Sequence, residues 1–77
     1  MLHELDYVSL AASLEARDPY DQGKVNSLQA GLLGTIVAAL DNGKSRAYDV
    51  EFVSEDGKSR CATLTEEQLV LVEAWQG

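Results

Sequence analysis

Along most of this chain apolar and polar side chains alternate with the two-residue period of half-buried strands. Asp6-Tyr7-Val8-Ser9-Leu10-Ala11 alternates and predicts a first strand. Ser9 to Arg17 also fits a short helix, because Leu10 and Leu14 fall four apart and the alanines favour it. Arg17-Asp18-Pro19-Tyr20-Asp21-Gln22-Gly23 is turn chemistry, with proline fixing φ and aspartate and glycine accepting tight conformations. The spacing leaves a long loop over residues 11–30 before the second strand, Leu33 to Leu40, which is rich in β-branched residues. Gly31 and Gly34 bracket the start of that strand, a spacing that marks a tight turn and a place where another backbone passes closely.

The second half is more regular. Asp41-Asn42-Gly43 signals a hairpin whose loop extends as far as Ser45, since Asn-Gly readily takes positive φ. Tyr48, Val50 and Phe52 then alternate with Asp49, Glu51 and Val53, which predicts a third strand with the aromatic set inward and the carboxylates on a solvated face. Glu55-Asp56-Gly57 closes a second hairpin, and Ser59 to Leu64 is the returning strand. Thr65-Glu66-Glu67-Gln68 is a capping box opening a single helical turn, and Leu69-Val70-Leu71-Val72 predicts the last strand. Residues 73–77 form a tail that Trp75 pins to the body. One helical turn before the last of five strands is the pattern of a small SH3-like antiparallel barrel. The fold expected is therefore mainly β, in a single domain over residues 1–77.

Composition narrows the setting. A chain of 77 residues buries only about 60% of the surface its unfolded form exposes, enough for one modest core. Cys61 is the only cysteine, so there is no disulfide framework and no multi-cysteine zinc site, and a reducing cytoplasm is expected. No signal peptide is evident, and no window approaches the roughly 20 apolar residues that span a bilayer. Thirteen acidic residues against six basic ones give a net charge of −7. That balance repels phosphate backbones and anionic lipid, which argues against nucleic acid and membranes, and it attracts a basic partner. Acidity of this kind also serves solubility alone.

No catalytic constellation is legible. His3, the only histidine, stands near the chain start, and Cys61 falls mid-strand with no histidine near it in sequence, as a small packing residue does. Asp49 and Glu51, with Glu55 and Asp56 just beyond, have a spacing that a divalent cation or an acid and base pair can use, and that a solvated sheet face also shows. Enzyme chemistry, a metal and a cofactor are not expected. What remains is contact with another protein. The expected contact residues are Asp49, Glu51, Glu55 and Asp56 together with Asp18, Tyr20 and Asp21 of the long loop, where Arg17 and Lys24 complete a mixed polar and aromatic set. With Tyr48 and Phe52 in the core, an aromatic groove for a proline-rich peptide is thin.

Gly31 to Val37, Tyr48 to Phe52, Glu55 to Gly57, Thr63-Leu64 and Glu67 to Leu69 resemble, in order, a small uncharacterised bacterial domain family. Its pattern reads Gly-x-x-Gly-Thr-Ile-Val, Tyr-x-Val-Glu-Phe, an acidic Asp-Gly turn, Thr-Leu and Glu-Gln-Leu. Residues 11–30 depart from the family, which usually has a shorter connection with a Pro-Glu-x-Gly-Leu type segment. The resemblance implies an SH3-like barrel and brings no catalytic residues with it. Similar small acidic proteins look like immunity proteins or antitoxins, so the resemblance points to neutralisation of a basic, nuclease-type toxin domain by direct binding. An adaptor or regulatory subunit that binds a peptide or a larger complex is the alternative.

Overall fold

The computed structural model describes residues 2–53 and 56–76. Its strands are β1 (Tyr7–Leu10), β2 (Leu14–Arg17), β3 (Val25–Leu28), β4 (Leu33–Asp41), β5 (Arg46–Val53), β6 (Ser59–Thr65) and β7 (Leu69–Glu73). One short 3-10 turn, Glu66–Gln68, separates the last two. The fold is mainly β, as expected, but it has seven strands in two sheets rather than five in one barrel. β6-β5-β4-β1-β7 form an antiparallel sheet, and β2-β3 form a separate hairpin. No ladder joins β6 to β7 among the described residues, so the hydrogen bonding does not close into a ring.

The hairpin corrects two expectations, a long loop over residues 11–30 and a short helix from Ser9 to Arg17. A separation of four is a helical spacing, but it is also an even number and fits a strand. The strand prevails because Leu14 and Ala16 turn toward the core while Glu15 and Arg17 stay exposed, and on the partner strand Asn26 and Leu28 are buried. Leu14 pairs with Leu28 and Ala16 with Asn26. The intervening turn is held by Asp18 N–H to Lys24 O, Lys24 N–H to Asp21 O, and Gly23 at φ +83°.

The core matches the inward set read from alternation. Tyr48, Val50 and Phe52 are fully buried against Val8, Leu10, Leu28, Ile36, Ala62, Leu64 and Leu69. Gly34 belongs to it for want of space: a Cβ there would lie 2.7 Å from Phe52 Cδ1 and 2.8 Å from the Glu51 carbonyl oxygen. Gly31, three residues earlier, serves the turn at φ +85°. The loop between β4 and β5 runs from Asn42 to Ser45, with the Asn42 side chain accepting from Lys44 and Ser45 N–H. At the 3-10 turn the expected capping box is present, with Thr65 N–H donating to the Gln68 side-chain oxygen at 2.9 Å.

Candidate protein-binding surface

The β2-β3 turn does not hang free. Asn26, on β3, donates one amide hydrogen to the Cys61 carbonyl at 3.0 Å and approaches Asp18 Oδ2 at 3.2 Å. The same Asp18 oxygen accepts from Cys61 N–H at 3.3 Å. Cys61 lies on β6, the end strand of the large sheet, so these two side chains satisfy backbone groups that another strand would otherwise pair. The hairpin is thereby fastened to the sheet by side chains instead of by a ladder.

Asp18 remains ionised through this arrangement. Burial alone would raise its carboxyl pKa, but hydrogen bonds from Tyr20 N–H, Cys61 N–H and the Asn26 amide outweigh burial and hold it below the ordinary carboxylate value. A second fastening lies beside the first. The Tyr20 hydroxyl donates to Asp49 Oδ2 at 3.1 Å, and the Thr63 hydroxyl donates to Asp49 Oδ1 at 2.6 Å. Asp49 therefore corrects the expected solvated face: it is only 7% exposed, covered from above by the hairpin turn. Glu51, two residues on, is exposed and sits across from Cys61 in the β5-β6 pairing.

The expected contact residues thus separate into two groups. Asp18 and Asp49 are supports, each accepting on both carboxylate oxygens from donors within the domain. Tyr20, Asp21, Glu51 and Asp56 present their side chains to solvent, with Tyr20 63% exposed. The structure brings Tyr20, Asp18, Asp49 and Glu51 together, and it leaves Asp56 apart in the β5-β6 turn, where it accepts from Lys58 N–H at 3.0 Å. Glu55 lies outside the described residues. Cations border this surface: Lys24, Lys58 and Arg60 line the cleft between β3 and β6, and Lys24 approaches Asp21 at 3.9 Å.

Cys61 is not a poised nucleophile. Burial, and then the negative charges of Asp18, Glu51 and Asp49, push its thiol pKa up. Among the described residues no group of three or more His, Cys, Asp or Glu side chains could hold a metal ion. Among the described residues no helix is long and apolar enough to cross a membrane.

A third arrangement went unread in the sequence. Asp6, 3% exposed, accepts from His3 N–H at 2.8 Å and from Trp75 N–H at 3.0 Å, tying both ends of the chain to one carboxylate. Burial raises this carboxyl pKa as well, and the two backbone donors and the nearby His3 outweigh it, so it too stays below the ordinary value. The tie holds the Trp75 backbone while its side chain remains 61% exposed beside Leu5 and Tyr7 in a groove of about 350 Å³. Leu5 reaches that position at φ +71°, its N–H bonded to the Ile36 carbonyl at 2.7 Å.

Residues 4–71 match the family described as "Domain of unknown function (DUF4926)", and the chain belongs to that family. Comparison with curated proteins and with solved structures gives no match.

Proposed function

We propose that this member of a family without an assigned activity is a non-catalytic, acidic protein-binding module. Its proposed role is that of a cytoplasmic immunity protein or antitoxin that neutralises a basic, nuclease-type bacterial toxin domain by direct contact. The observation that carries the reading is the fastened hairpin. Tyr20 is an exposed aromatic ring aimed by a buried carboxylate, with Asp21 and Glu51 exposed beside it. An anchor held in place before binding loses little freedom when it binds, and aromatic anchors with acidic neighbours suit a cationic cleft. The net charge of −7 adds long-range steering toward such a cleft and away from nucleic acid.

The fold proposed for this module is an SH3-like barrel. The strand order β6-β5-β4-β1-β7, the hairpin between the first two strands of the large sheet and the 3-10 turn before the last strand support that assignment. The adaptor reading keeps one specific support, the groove of Leu5, Tyr7 and Trp75, which offers two exposed aromatic rings to a peptide.

Co-expression with the product of the adjacent upstream gene tests the main reading. Co-purification together with restored growth supports it. A toxic neighbour that the domain neither binds nor relieves would overturn it in favour of the adaptor.

A further inference from the structure

The two ends of the large sheet are treated differently. At β6 the outward backbone groups of Cys61 are covered by Asp18 and Asn26. At β7 nothing equivalent is present: it pairs with β1 alone, and no described residue covers its other side. The open groups can be located. Leu10 turns its N–H to the Leu32 carbonyl and its C=O to Gly31 N–H, both toward β4. In an antiparallel ladder the direction alternates up to the bulge after Leu71, so Ser9 bonds its partner Val70, and Leu71, opposite Val8, turns both N–H and C=O away from the sheet.

The side chains along this edge are also open. Val70, Leu71 and Val72 are 51%, 46% and 51% exposed, aliphatic on both faces. An edge of this kind is normally blunted by lysine, proline, a covering loop or a bulge. β7 contains neither lysine nor proline, and its one irregularity, a bulge opposite the step from Tyr7 to Val8, leaves Val70 and Leu71 in register with Ser9 and Val8. It ends at the Leu5, Tyr7 and Trp75 groove.

Charge selects the occupant. All six lysines and arginines lie between Arg17 and Arg60. The segments before and after, which supply β1 and β7, contain Glu4, Asp6, Glu15, Glu66, Glu67 and Glu73 and no lysine or arginine. A second copy would bring the same acidic flank to the same edge and be repelled, whereas lysines or arginines would meet Glu67 and Glu73, both exposed, at its two ends.

We infer that β7 is a docking edge on which a basic, extended segment of a partner protein adds as a sixth strand. Main-chain bonds at Leu71 supply the register, and aliphatic side chains of the segment pack on Val70 and Val72. The inference rests on the protein-binding reading and adds a contact that the fastened hairpin does not provide.

The test is a titration of the isotope-labelled domain with a synthetic strand of about ten alternating lysines and valines, a length typical of a long strand. A glutamate-valine strand of equal length serves as control. The expected result is at least tenfold slower hydrogen exchange at the Leu71 amide with the lysine-valine strand alone. That protection should be lost in Leu71→Pro, which removes the outward N–H. It should also be lost in Val70→Lys/Val72→Lys, which keeps the backbone intact if the proline variant does not fold.

Absence of binding overturns the inference. So does binding that perturbs Tyr20 and Glu51 while leaving the Leu71 amide unchanged, although the acidic-surface reading would survive that outcome. Concentration-dependent protection without any peptide would assign the edge to a second copy and overturn the basic occupant. Conversely, protection of Leu71 in a domain that relieves no toxin would retain the edge and remove the toxin reading.

Discussion

The Tyr20 hydroxyl and the Asp49 carboxylate, 29 positions apart in the chain, meet at 3.1 Å and set an exposed ring over a buried acid. The hydrogen bond to Asp49, followed by desolvation and the nearby negative charges of Asp49, Cys61 and Asp18, raises the Tyr20 phenol pKa. Followed by ultraviolet absorbance, Tyr20 should therefore ionise at higher pH than free tyrosine. Asp49→Asn should move it back toward the ordinary value, because the charge that opposes phenolate is gone. A Tyr20 titration unchanged in Asp49→Asn would contradict this contact.

Asp6 and Asp18 give the domain an acid-sensitive component. Both pKa values are lowered in the folded state, so each carboxylate contributes stability that is present above its unfolded pKa and lost as pH falls through the folded value. Urea midpoints should fall below the ordinary carboxylate range, about pH 4 and under. Asp6→Asn and Asp18→Asn should be less stable than the parent at neutral pH, with the difference shrinking in acid. A difference that widened in acid would mean the signs are reversed.

Gly34 has no room for a side chain. Gly34→Ala should cost about 1–3 kcal/mol by overpacking against Phe52 and the Glu51 carbonyl. For a chain of this size that is a drop in Tm of about 4–8 °C for each kcal/mol, read by thermal melting. Val50→Asp places an unpaired charge at a fully buried position and should abolish cooperative folding. A well-folded Val50→Asp variant would show that the inward face of β5 is misassigned.

Charge reversal probes the surface without touching the core. Glu51→Lys combined with Asp56→Lys should leave the fold intact and lower stability by no more than about 1 kcal/mol, the loss of the hydrogen bond that Asp56 accepts from Lys58 N–H. The same pair should slow association with a co-purified basic partner by about tenfold at low salt, and the gap should close as salt is added. Unchanged association kinetics would remove these two carboxylates from the interface.

How far the sequence reached follows from how local each signal is. β4, β5 and β6 were legible because Tyr48, Val50 and Phe52 alternate with polar neighbours inside one strand. The β2-β3 hairpin was not, because the spacing of Leu10 and Leu14 satisfies both a helix and a strand, and the deciding partner, Asn26, lies across the turn. Alternation sets Asp49 on the face of β5 opposite Tyr48, Val50 and Phe52. What covers it is Tyr20, from a hairpin that alternation within β5 does not report. The continuous apolar run of β7 shows no period, so its open edge emerged only from the register with β1.

That register has a kinetic corollary. β1 sits between β4 and β7, so Val8 faces Gly34 on one side and Leu71 on the other. Closing the second flank of β1 brings together residues some sixty positions apart, whereas β4, β5 and β6 pair through short turns. The β1-β7 ladder therefore carries the largest loop-closure cost in the sheet, and shortening the path between those two strands should speed folding more than shortening either hairpin turn.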